Sequence, residues 1–70
     1  MYSVILSIAG QDSDGRGWWD DLFTWNCRTK GNALKQWDEI LKNEFQPSED
    51  RGTFLSIRHK GKTVKFMQIN

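Results

Sequence analysis

The first nine residues alternate in character. Tyr2, Val4, Leu6 and Ile8 fall on one side of an extended chain, and Ser3, Ile5 and Ser7 on the other. A period of two with β-branched residues predicts a half-buried strand. Residues 10–17, GQDSDGRG, are turn chemistry throughout. Alternation returns over Trp18 to Arg28, with Phe23, Trp25 and Cys27 on one face and Leu22, Thr24 and Asn26 on the other. This predicts a second strand, antiparallel to the first across a long loop.

The period then changes. Leu34, Trp37, Leu41 and Phe45 recur at three- and four-residue steps, with Ala33 and Ile40 beside them. That spacing predicts an amphipathic helix over 32–45. Asn32 is its expected N-cap after Gly31, and Pro47 its expected stop. Lys35 with Glu39 and Asp38 with Lys42 are i, i+4 pairs on its solvent face. An acidic loop, Ser48, Glu49 and Asp50, follows.

Two further runs, Thr53 to His59 and Lys62 to Ile69, flank Lys60-Gly61. Gly61 accepts the positive φ of a two-residue primed turn, so these runs predict a hairpin. A regular register opposes Ile57 to Val64 and Leu55 to Phe66 on an apolar face. It opposes Arg58 to Thr63, Ser56 to Lys65 and Phe54 to Met67 on a mixed face, as in a sheet covered on one side.

The expected fold class is α+β: a single small domain over 1–70, ordered ββαββ, with one helix on one face of a four-stranded antiparallel sheet. The expected core is Tyr2, Val4, Leu6, Ile8, Phe23, Trp25, Leu34, Trp37, Ile40, Leu41, Leu55, Ile57, Val64 and Phe66. Strand order stays open, because either strand of the second hairpin can dock beside the first strand.

Composition narrows the function. Seventy residues with four Trp and four Phe can hold one core, each large ring burying about 150–250 Å². The longest apolar stretch, Val4 to Ala9, includes Ser7, well short of a membrane helix. No basic segment precedes it, so no secretory signal is expected. Cys27 is the single cysteine, which excludes an intrachain disulfide and fits a reducing, cytoplasmic compartment.

Catalytic chemistry is sparse. His59 is the one histidine and sits beside a turn between Arg58 and Lys60, where a solvated residue is the ordinary outcome. Cys27 falls on the expected core face, where cysteine behaves as a small hydrophobe. Asp20 and Asp21 are neighbours on a strand and point to opposite faces. Asp12, Asp14 and Gly15 echo the start of a calcium loop but lack its later ligands. The expectation is a protein that is not an enzyme, without cofactor or metal.

The near-neutral net charge of +1 hides a division. Residues 1–50 carry nine acidic and five basic side chains; residues 51–70 carry five basic and none acidic. Lysines on an edge hairpin discourage strand addition, and they also suit an anionic partner. The uncovered face is expected to present Ile5, Leu22, Thr24, Phe54, Ser56, Arg58, Thr63, Lys65 and Met67. With Phe54 as its one clear ring, that face is a poor platform for stacking bases.

A protein-binding module is therefore the leading expectation. Trp18 and Trp19, adjacent on a strand, cannot both enter the core, and Trp is a favoured interface anchor. The candidate contact residues are Trp18, Trp19, Asp20 and Asp21 on one side, and Phe54, Arg58, His59, Lys60, Lys62 and Lys65 on the other. The expected partner is a larger protein or complex, with nucleic acid and a homodimer as alternatives and no membrane. In size and chemistry the chain is similar in kind to accessory and inhibitor proteins of bacteriophages and mobile elements, anti-CRISPR proteins among them; that likeness is one of class and covers no particular residue.

Overall fold

The computed structural model describes residues 1–43 and 51–69. They form β1 (Tyr2–Gln11), β2 (Gly17–Cys27), α1 (Lys30–Leu41), β3 (Arg51–His59) and β4 (Lys62–Gln68). The order is ββαββ, as the periodicities predict. All neighbouring strands are antiparallel, in the order β2-β1-β3-β4. Of the two docking choices, β3 is the strand that pairs with β1.

Both hairpin turns follow from local chemistry. In the first, the Asp12 carboxylate accepts the backbone N–H groups of Asp14 and Arg16, at 3.0 and 2.9 Å, and Gly15 takes φ +80°. This is an Asx-type turn, which occupies the carboxylate with its own loop. In the second, Lys60 and Gly61 have φ +52° and +76°, the two left-handed residues of a primed turn.

The helix starts earlier than its apolar spacing suggests. Thr29, not Asn32, is the N-cap: its Oγ1 accepts the Asn32 N–H at 3.1 Å. Starting at Lys30 adds almost a turn before Ala33, and Thr in the β region is among the preferred N-cap residues. The helix also ends earlier, at Leu41. The Asn43 amide donates to the carbonyls of Glu39 and Ile40, at 3.4 and 3.3 Å, and closes the last turn. Lys42 pairs with Glu39 at 3.8 Å, one step short of the i, i+4 partner Asp38. Phe45, Pro47 and the acidic loop Ser48, Glu49 and Asp50 lie outside the described residues.

The core is Val4, Leu6, Ala33, Trp37, Ile40, Leu55 and Ile57, with Tyr2, Trp25, Cys27, Leu34, Leu41 and Ile69 packed around it. Four expected core members fall outside it: Ile8 is half-buried and does not join the cluster, and Phe23, Val64 and Phe66 are 59%, 50% and 55% exposed. The reason is width. One helix, about 10 Å across, covers two or three strands spaced about 4.8 Å apart. Here α1 packs mainly on β1 and β2, which leaves Phe23 on the rim of β2 and β4 beyond the helix's main contacts.

The chain meets this shortage with bulges. The β3–β4 register slips between Ile57 and Arg58, so Val64 is the extra residue. Arg58 still faces Thr63, but Ile57 then faces Lys65, Ser56 faces Phe66 and Leu55 faces Met67. Lys65 and Met67 are thereby moved to the helix side, and Phe66 to the open side. Lys65 places its Nζ 4.8 Å from the centre of the Trp37 ring, a cation–π contact that its aliphatic stem extends. A second slip, between Leu6 and Ser7, makes Leu22 the extra residue of β2: Leu6 faces Phe23 and Ser7 faces Asp21.

A bulge residue carries little packing. Val64→Asp is expected to cost less than about 0.5 kcal/mol, as for a surface change. The regular register would bury Val64 against Ile57, and there the substitution would cost several times more. Urea denaturation of the variant separates the two registers.

Candidate functional site

The two bulges converge on the face that the helix leaves open. The first moves Asp21 and Trp19 onto it, opposite Ser7 and Ala9; the second moves Phe66 onto it, opposite Ser56. Phe54 lies between the rings. Its centroid is 5.1 Å from Trp19 and 5.6 Å from Phe66, within the range of favourable ring pairs. The result is a row of three rings across a sheet whose two edge strands supply its ends.

Beside the row is a shallow depression of about 230 Å³, whose lining includes Ile5, Ser7, Asp21, Ser56 and Arg58. Ser7 and Ser56 are buried, 1% and 7% exposed. A buried hydroxyl needs an acceptor. Ser7 Oγ donates to Asp21 Oδ1 at 2.6 Å, and the Trp19 Nε1–H donates to the same oxygen at 2.7 Å. Regular alternation would turn Asp21 away from Ser7; the bulge at Leu22 is what joins them.

These bonds hold the Asp21 carboxyl below the ordinary Asp value of 3.8. The Ser7 hydroxyl is the largest cause, then the Trp19 indole; partial desolvation opposes them, and the Arg58 charge adds a smaller lowering. A lowered carboxyl stabilises the fold above its unfolded pKa, and that contribution is lost as pH falls through the folded value. The window therefore lies below about pH 4, and Asp21 is an anion at neutral pH. Ser7→Ala should raise the Asp21 pKa toward the ordinary value, read by NMR titration of its carboxyl carbon. An unchanged or lower pKa would contradict this account of the site.

Among the described residues, Arg58 is the cation that strand register places on this face. Its Nη2 donates to the Gly61 carbonyl at 3.3 Å, and it makes no direct ion pair with Asp21. Trp19, Asp21, Phe54 and Arg58 are thus brought together, and Phe66 joins them. Alternation alone conceals Phe66, because one extra residue in β4 reverses its side.

The remaining candidates lie elsewhere. Trp18 and Asp20 face Gly10 and Ile8 on the helix side of β2. His59 stacks on Tyr2 at 4.0 Å and 5°, with its Nδ1 2.9 Å from the Met1 carbonyl oxygen. The accepting carbonyl requires the proton on Nδ1, so His59 is a half-buried tie between β3 and the chain start rather than a solvated turn residue. Lys60 is in the turn, Lys62 faces His59, and Lys65 covers Trp37. Cys27 is half-buried against the core.

A second concavity, about 510 Å³, runs between β2 and α1, lined by Leu6, Phe23, Trp25, Gln36 and Ile40 among others. Among the described residues no group of three His, Cys, Asp or Glu side chains converges as metal ligands, and no helix is long and apolar enough to cross a membrane. No protein-family model matches the chain, and no curated protein or solved structure matches it.

Proposed function

We propose that this protein is a non-enzymatic binding module that works by occupying the surface of a partner protein, a larger protein or complex, with its open sheet face as the contact surface. The observation that carries this reading is the row Trp19, Phe54 and Phe66 set beside an anchored carboxylate, Asp21, and a guanidinium, Arg58. Aromatic residues and arginine dominate the energetics of protein interfaces. Trp19 and Phe66 are 52% and 55% exposed, so their apolar area is available to a partner. An accessory or inhibitory role in a reducing, cytoplasmic compartment fits a module that acts by occupancy alone.

Single-stranded nucleic acid is the second reading, favoured by the same three rings, since bases stack on such a row. The charges favour protein. Strand register places one cation, Arg58, on this face among the described residues, and Asp21 is an anion beside it. Lys62 and Lys65 are on the helix side, away from any backbone that would follow the row.

The experiment is affinity capture with the tagged protein, run beside Trp19→Ala/Phe66→Ala and a helix-side control, Lys35→Ala. The reading expects one specific protein partner, kept by the wild type and the control and lost by the double variant. Retention of that partner by the double variant overturns it. Salt-sensitive retention of labelled single-stranded oligonucleotides, without a protein partner, replaces it with the second reading.

A further inference from the structure

We infer that the free protein pairs through its open face with a second copy of itself about a two-fold axis, and that this dimer covers the aromatic row until a partner protein displaces it. The inference rests on the reading of the open face as the contact surface, and names its resting occupant.

The geometry is in the strand register. Ser7 faces Asp21 on β2, Ser3 faces Arg58 on β3, and Ile5 lies midway between the two serines. Asp21 and Arg58 are therefore each one strand from Ile5, on opposite sides. They are also each two residues from it, in opposite directions along β1. Consider a two-fold axis parallel to the sheet, lying above Ile5 on the open side and at right angles to the line joining Asp21 and Arg58. It exchanges the two positions. Asp21 of each copy meets Arg58 of the other, and Ile5 meets Ile5.

The same axis brings Phe54 of one copy over Phe66 of the other, because Phe54 and Phe66 face neighbouring rungs, Ser7 and Ser56. An isologous contact requires a surface complementary to itself, and Asp21, Arg58 and the Phe54–Phe66 pair stand in that relation on this face. The charges have capacity to spare. Asp21 uses Oδ1 for both intramolecular bonds, and Arg58 uses Nη2 for one, out of five guanidinium donors. A standard interface takes about 800 Å² from each partner, a modest share of a 5193 Å² surface.

The test is analytical ultracentrifugation from micromolar to millimolar protein, with Asp21→Arg and Arg58→Asp as variants. The wild type should show a monomer–dimer equilibrium. Each variant alone places like charges together at both contacts and should weaken the dimer by about 100-fold or more. Mixed together, the two variants restore an opposite-charge pair at both contacts, and a heterodimer should return. A monomeric wild type at millimolar concentration overturns the inference. So does a mixture that stays monomeric while both variants are folded by circular dichroism. If Asp21→Arg fails to fold, Phe66→Ser at its exposed edge position serves instead, and a dimer of wild-type strength in that variant overturns the inference equally. A monomeric wild type whose partner capture is lost in Arg58→Asp removes the dimer and leaves the binding module standing. Dimerisation and capture both untouched by every variant removes both.

Discussion

Trp37→Ala is expected to remove about 3–5 kcal/mol, a third or more of the protein's stability. The indole is 2% exposed and belongs to the cluster with Val4, Leu6, Leu55 and Ile57, beneath the Lys65 ammonium. Truncating a buried Trp costs about 3–5 kcal/mol. A chain of this length holds only about 4–10 kcal/mol in total, at 0.05–0.15 kcal/mol per residue. The helix amplifies the loss. It has twelve residues, too few to persist alone, and its buried contacts with the sheet are Ala33, Trp37 and Ile40. Removing the largest of the three frees the helix and uncovers β1 together. Urea denaturation by circular dichroism measures this, and a loss below about 1 kcal/mol would be that of a surface site and would contradict the core described above.

The second large effect is on binding rather than folding. Trp19→Ala/Phe66→Ala should weaken partner binding by at least about 100-fold, since interface anchors of this kind cost 2 kcal/mol or more each and are not additive. Stability should change far less, because both rings stand more than half in solvent. Phe54 is half-buried beneath them, and its truncation mixes both effects. The contrast between a large loss of affinity and a small loss of stability marks a contact surface; equal losses in both would mark a structural one. Isothermal titration against the captured partner and a thermal melt of the free variant supply the two numbers.

The element order, the antiparallel hairpins and the Lys60-Gly61 turn were legible because period and turn chemistry are local. Val4, Leu6, Leu55, Ile57, Trp37 and Ile40 were legible as core for the same reason: each sits on an apolar face of its own element. The open face was not. Leu22 and Val64 each break the alternation of an edge strand, and an extra residue leaves no mark in a pattern of twos. Two causes stand behind the breaks, and both are tertiary. The buried Ser7 hydroxyl finds its acceptor in Asp21, on another strand, and α1 packs mainly on β1 and β2, while Phe66 stacks on Phe54 across the open face. The N-cap was hidden differently: Thr29 and Asn32 are both good caps, and only the packing of Ala33 under the helix decides between them.

The central claim is that the working surface is the open face, and hydroxyl-radical footprinting tests it most directly. Labelling is compared between dilute monomer and concentrated or partner-bound protein. The account predicts protection of Trp19, Phe54 and Phe66, with Trp18 and Phe23 on the helix side labelled as before. Protection of Trp18 and Phe23 with Trp19 and Phe66 unchanged would contradict it.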